Sequence, residues 1–148
     1  MADFATNPRA RHDYEILETL EAGLVLTGYE VKSIKKGQAS IKGAYVRVHN
    51  GQLWLIGASI PPYQPGNIPA DYAERADRKL LVSRRELAAL VGLQQAHGVT
   101  LIPLRLYAKR GRVKLEIGVA RGKKKYDKRE AIKKKDVARS RMRGMSEE

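Results

Sequence analysis

The sequence predicts an all-β body with accessory helices, an OB-like antiparallel β-barrel over residues 1–120, followed by a basic tail over 121–148 that is helical only conditionally. Three observations predict it. Ala44–Val48 and Gln52–Ile56 flank His49-Asn50-Gly51, and Asn-Gly between two apolar runs is the strongest short-range hairpin signal. Val113, Leu115, Ile117 and Val119 alternate with Lys114 and Glu116, the pattern of a half-buried antiparallel strand. After Val119 apolar residues become too sparse to form a buried stripe, and the chain turns strongly cationic.

The elements follow in order. Tyr14–Leu20 and Leu24–Gly28 carry strand signals on either side of Gly23, which suggests a bend or bulge. Tyr29–Lys36 is a short helix in which Val31, Ile34 and Lys35 share a face and Gly37 stops the turn. Residues 61–77 hold four prolines without periodicity and read as a long loop. Ser83 followed by Glu86 is a capping-box spacing, opening a helix whose face is Leu87, Leu90, Val91 and Gln94 and which ends near Gly98. Thr100–Tyr107 and Arg112–Val119 form a second hairpin around Ala108-Lys109-Arg110-Gly111. In the tail, Glu130 stands four residues before Lys134, the favourable order for a helical ion pair. Repulsion among its cations opposes folding of the isolated segment, and neutralisation on a polyanion removes that obstacle.

Length and composition narrow the class. A chain of 148 residues, 43% hydrophobic, suits one domain with a real core. No run reaches the roughly 18 apolar residues of a membrane span, and Met1–Pro8 lacks the pattern of a secretory signal, so a cytoplasmic, monomeric protein without cofactors is expected. Without cysteine there is no disulfide framework, thiol nucleophile or Cys-containing zinc site. The formal net charge is +13, with 17 basic and 11 acidic side chains in 1–120 and 12 against 5 in 121–148. Two basic modules facing a polyanion, nucleic acid or a membrane surface, are implied.

Candidate chemistry is thin. His12, His49 and His97 lie on separate segments without metal-ligand spacing, and Asp71, Glu74 and Asp77 read as a solvated polar loop. His12, in a basic arm behind Arg9 and Arg11, is the one imidazole suited to stacking on a base. There is no phosphate-cradling glycine loop and no nucleophile elbow, so no catalytic residue and no metal site is expected. The basic clusters are Lys32, Lys35 and Lys36, then Arg78 and Lys79, then Lys109, Arg110 and Arg112. Together with the tail they favour phosphate contact, and shape-based recognition of folded RNA fits better than duplex DNA reading. A general single-strand binder or nucleoid protein remains open, although 6% aromatic content is low for a stacking platform. An RNA-processing enzyme would need a general base that the sequence does not display.

Asn7–Tyr14, Glu21-Ala22-Gly23, Gly28–Ser33, Arg78-Lys79-Leu80-Leu81 and Gly122–Arg129 closely resemble, in order, the small protein B family of SsrA-binding proteins. The resemblance implies an OB-like barrel that binds the tRNA-like domain of transfer-messenger RNA. It implies delivery of that RNA, with elongation factor Tu, to stalled ribosomes for trans-translation. It further implies that Glu21, Leu81 and Lys114 engage the RNA, and that Asp127-Lys128-Arg129 acts in accommodation and tagging. The tail, with Lys123 and Lys124, would fold in the empty messenger channel against small-subunit RNA, and Tyr126 and His12 would lie near the decoding centre. The chain departs from the family pattern at Glu74, Ala76 and Tyr29.

Overall fold

The computed structural model describes residues 3–63, 68–95 and 98–122. Its elements are β1 (Asp3–Thr6), α1 (Pro8–Asp13), β2 (Tyr14–Leu24), α2 (Gly28–Lys35), β3 (Tyr45–His49), β4 (Gln52–Ile56), β5 (Arg78–Leu81), α3 (Arg84–Gln94), β6 (Val99–Lys109) and β7 (Arg112–Gly122). All strands pair antiparallel in one seven-stranded sheet of order β1-β6-β3-β4-β5-β2-β7. A further β6–β7 ladder returns the hydrogen bonding to β6, so six strands complete a circuit and β1 hangs outside it. His97 and the tail beyond Gly122 lie outside the described residues, as does the helix expected there.

Local chemistry accounts for most boundaries. Asn50 and Gly51 both take positive φ, 54° and 71°, and join β3 to β4 as a two-residue turn. Arg110 and Gly111, at 53° and 77°, do the same between β6 and β7, a tighter loop than the four residues expected. Ser83 and Glu86 form the expected capping box on α3. Thr27 and Glu30 form a second box, which starts α2 at Gly28. Gly37 ends that helix with φ 78°. Pro8 in the first turn opens α1, a short helix where the sequence suggests only a basic arm.

Two expectations need correction. Gly23 does not divide two strands: β2 runs unbroken from Tyr14 to Leu24, and its bulge lies between Ile16 and Glu18. Gly23 instead sits between Lys114 of β7 and Leu81 of β5, paired on both sides. The 61–77 loop, for its part, is not wholly solvated. The Tyr72 hydroxyl meets a buried ion pair between Glu30 and Arg78, whose side chains are 9% and 3% exposed, while Glu74 stays exposed, its carboxylate accepting from Ser59 and its backbone carbonyl from Arg78.

That pair is thoroughly hydrogen-bonded, as burial of charge requires. Arg78 Nη2 and Nε donate to Glu30 Oε2 at 2.8 and 3.2 Å. Nη1 reaches the carbonyls of Ala76, Glu74 and Ala58 at 2.8, 2.9 and 3.4 Å, and Nη2 also donates to the Tyr72 hydroxyl at 3.0 Å. The other Glu30 oxygen accepts from Thr27 N–H at 2.9 Å, so a single carboxylate caps α2 and anchors Arg78. Burial pushes the Glu30 carboxyl up, but the Thr27 N–H and the Arg78 guanidinium outweigh it and hold the group below the usual range. Burial and the nearby Glu30 charge push the Tyr72 phenol up to about 12.

The main core fills the strand circuit with Leu53, Leu55, Leu80, Leu101, Leu106, Leu115, Ile117 and Val119, closed by Ile34 of α2 and Leu90 of α3. The expected alternation on β7 is observed, with Val113, Leu115, Ile117 and Val119 all buried. A smaller cluster lies on the opposite face, where Ala10 of α1 packs on Ile102, Leu104 and Ala120, with Tyr14 and Ile16 at its margin. The bulge between Pro103 and Arg105 separates this apolar half of β6 from a polar half. Leu104, the extra residue, lies on Gly118, where an added Cβ would meet Leu104 Cδ1 at 3.1 Å.

Arg78→Ala leaves Glu30 buried and unpaired and should destabilise the fold by about 3–5 kcal/mol, read from the urea midpoint. Because Glu30 titrates below its ordinary 4.5 when folded, its contribution is complete at neutral pH and drains away as pH falls through the folded value. Acid unfolding of Glu30→Gln, normalised to its own neutral stability, should lack that component.

Candidate nucleic-acid interface

Beyond the Pro103 bulge, the outer face is built by alternation. Asp3 of β1 pairs with Tyr107 of β6, Tyr107 with Lys114 of β7, Lys114 with Gly23 of β2, and Gly23 with Leu81 of β5. One step along the strands, Arg105 pairs with Glu116 and Glu116 with Glu21. Long-range pairing thus gathers Glu21, Leu81 and Lys114 around the bare backbone of Gly23. A Cβ there would lie 3.6 Å from both Lys114 Nζ and the Leu81 Cβ. Leu81 and Val25, 50% and 52% exposed, form an apolar step beside Lys79, since Val25 N–H bonds to the Lys79 carbonyl.

Two carboxylates facing each other across β2 and β7 would repel. Each has a cation. Arg105 Nε donates to Glu116 Oε1 at 3.0 Å while its Nη1 donates to Asp3 Oδ1 at 2.8 Å. Lys109 Nζ donates to Glu21 Oε1 at 3.3 Å, and the Tyr107 hydroxyl donates to Glu21 Oε2. The Arg105 guanidinium lies 4.1 Å from the Tyr107 ring centroid. The Tyr107 hydroxyl is the leading influence that draws the Glu21 carboxyl below its usual range, against a smaller upward push from burial, with Lys109 and Lys114 adding to it. Burial and the Glu21 partner push the Tyr107 phenol upward. Asp3 and Glu116 hold Arg105 still more firmly protonated.

The structure sorts the predicted residues. Glu21, Leu81, Lys114, Lys79 and Lys109 share this face. Arg110 stands exposed at the β6–β7 turn, and Lys35 Nζ reaches the Gly111 carbonyl there at 3.5 Å. Lys32 and Lys36 lie on and just after α2, Lys32 with its Nζ 6.0 Å from the Tyr63 ring. Arg78 does not belong to the surface: its guanidinium is buried, with every arm engaged, because strand alternation turns it inward while Lys79 faces out. His12 stands at the far end of β2, exposed, its Nδ1 2.9 Å from Asp13 Oδ1. Tyr14, two residues on, pairs with Gly122, so the chain leaves β7 at the His12 end. From Tyr14 to Glu21 the strand, shortened by its bulge, advances about 20 Å. Lys123, Lys124, Tyr126, Asp127, Lys128 and Arg129 lie outside the described residues.

Sequence reasoning missed Arg105, Tyr107, Asp3 and Val25. Tyr107 shares outward parity with Lys109, but the sequence pattern ends the strand at Tyr107 and puts Lys109 in the turn. The Pro103 bulge also hid that parity by shifting the phase. Among the described residues no group of three or more His, Asp or Glu could hold a metal ion, and no helix is long and apolar enough to cross a membrane.

A strand circuit with a cationic outer face, an exposed apolar step and fixed carboxylates defines a small antiparallel β protein with a surface suited to a polyanion. Residues 4–147 match the family described as SmpB protein, and the chain belongs to that family. The SsrA-binding protein of Rubrobacter xylanophilus is 51% identical over 99% of this chain and 97% of its own length. That of Acetivibrio thermocellus is 52% identical over 91% and 87%. A solved chain described under "tmRNA-SmpB: a journey to the center of the bacterial ribosome" superposes with TM-score 0.67 at 46% identity, covering 90% of this chain and 94% of that one.

The Lys109–Glu21 ion pair is exposed, 48% and 33% for the two side chains. Lys109→Ala should therefore change the urea unfolding free energy by less than about 1 kcal/mol. This would make the substitution a clean probe of binding.

Proposed function

We propose that this protein binds SsrA, the transfer-messenger RNA, through its tRNA-like domain, and carries it to stalled ribosomes for trans-translation. Membership of the SmpB family supports the partner. The single structural observation that carries the reading is the meeting of Glu21, Leu81 and Lys114, from three strands, around Gly23. In this reading the strand circuit is an OB-like barrel, and Lys114, Lys79, Lys109 and Arg110 neutralise phosphates, with Lys32, Lys35 and Lys36 extending the basic surface. The Glu21 carboxylate accepts hydrogen bonds from base or ribose donors, and Leu81 packs against the nucleotide they belong to. Arg78 takes no part in the contact, being committed to Glu30.

The two ends of β2 support a division of labour. RNA capture occupies the Glu21 end. At the other, His12 and the tail that follows Gly122, with Lys123, Lys124, Tyr126, Asp127, Lys128 and Arg129, meet the ribosomal small subunit. Delivery with elongation factor Tu, action as a cytoplasmic monomer and the absence of enzymatic chemistry belong to the same reading.

The test is selectivity at physiological salt. A tRNA-like elbow should bind far more tightly than duplex DNA or unstructured RNA of equal length; equal affinities would reject the adaptor reading. Lys114→Ala should weaken binding and reduce the salt slope by roughly one phosphate contact. Truncation after Gly122 should leave most RNA affinity in place while abolishing tagging in a reconstituted translation system. A large loss of affinity would instead put the primary RNA site in the tail.

A further inference from the structure

Glu21 stands out on the RNA face because it is an anion among cations. Left to electrostatics alone, its carboxylate would turn into the nearest ammonium, Lys109 or Lys114, and present a neutralised pair. It does so only in part. One oxygen accepts from Lys109, but the other accepts from Tyr107, a neutral donor two strands away on β6, whose phenol crosses over the intervening β7 to reach it. Tyr107 is 5% exposed and is held from the side by Arg105, 4.1 Å from its ring centroid. Arg105 is in turn fixed at both ends by Asp3 and Glu116. Two side chains of β6 therefore hold one carboxylate of β2, and Asp3 of β1 and Glu116 of β7 brace the Arg105 that stacks on one of them.

We propose that Tyr107, braced by Arg105 between Asp3 and Glu116, is a positioning residue that fixes the Glu21 carboxylate for RNA recognition. The inference rests on the reading of this face as the RNA site. A phenol suits the task where a second cation would not. It fixes one oxygen by a hydrogen bond without cancelling the charge, and each carboxylate oxygen keeps a lone pair for a base or ribose donor. A fixed anion also discriminates: phosphates are repelled from that point, so only an RNA that brings donors there while its backbone meets Lys79, Lys109 and Lys114 fits without loss. Asp3 extends the brace to β1, so the N-terminal strand contributes to recognition without touching RNA.

The experiment is a double-mutant cycle on the full chain, with affinity for a tRNA-like elbow measured against pH. Tyr107→Phe keeps the ring under Arg105 and removes only the hydroxyl. Affinity should fall about tenfold, the scale of one hydrogen bond to an ionised group. The residual binding should begin to fall at a higher pH than in the parent protein, because Glu21 has lost the largest of the influences that lower its carboxyl. In a Glu21→Gln background the same substitution should have no further effect. Arg105→Lys, which loses the fork and the stacking, should move affinity in the same direction and serves if Tyr107→Phe fails to fold. The positioning role is wrong if Glu21→Gln weakens binding but neither Tyr107→Phe nor Arg105→Lys does. It is equally wrong if the effects of those two substitutions persist undiminished in the Glu21→Gln background. If Glu21→Gln itself binds as the parent does, the reading of the face is what fails.

Discussion

The buried Glu30–Arg78 pair is the constraint on which the rest of the structure leans. A guanidinium inside a protein is tolerable only when its donors are all engaged. Here they draw in α2 through Glu30, the segment after β4 through the Ala58 carbonyl, and the turn before β5 through Tyr72, Glu74 and Ala76. Those pieces have little regular structure with which to satisfy each other. β5, only four residues long, is the link between β4 and β2 that completes the strand circuit. Its position follows from where Arg78 is anchored, and the outward placement of Lys79 and Leu81 follows from β5.

The second organising device is a change of phase. A proline in a strand paired on both sides is poorly tolerated unless the ladder is irregular beside it, and the bulge after Pro103 supplies that irregularity. On one side of it Ile102 and Leu104 face outward and must be covered, which α1 does with Ala10. On the other side Arg105, Tyr107 and Lys109 occupy the outward positions, with Tyr107 buried against Arg105 and Lys109 exposed. A single extra residue thus divides one sheet surface into a packed half and a working half. The same geometry sets the Glu21 cluster apart from the His12 end, where the chain continues past Gly122.

Charge on the working half is arranged by opposition. Glu21 and Glu116 face each other across a strand pair, and each is relieved by a different kind of partner. Glu116 is committed to Arg105, whereas Glu21 accepts from the neutral Tyr107 hydroxyl as well as from Lys109. Of the lysines around them Lys109 is paired with Glu21, and Lys79 and Lys114 share the same face. Hydrogen-bonded carboxylates beside lysines on one surface suit a ligand whose phosphates supply affinity and whose bases supply fit.

The sequence by itself determined a good deal. Asn50-Gly51 and the Ser83–Glu86 box needed only local backbone chemistry, and both stand in the structure as read. The strict alternation of 113–119 specified a strand with one buried face. The ordered motifs around Asn7, Glu21, Gly28, Arg78 and Gly122 identified the family outright. What tertiary structure alone decided was the fate of individual charges. Arg78 and Lys79 are neighbours with the same sign, and nothing local says that one is buried against Glu30 while the other faces solvent. Tyr107 and Glu21 belong to strands that are not adjacent, and a phase shift at Pro103 hides the parity that would link them. Turns and periodicities are properties of a few consecutive residues and can be read along the chain. The partner of a charged side chain is set by which distant strand comes to lie beside it, and that is known only once the sheet has formed.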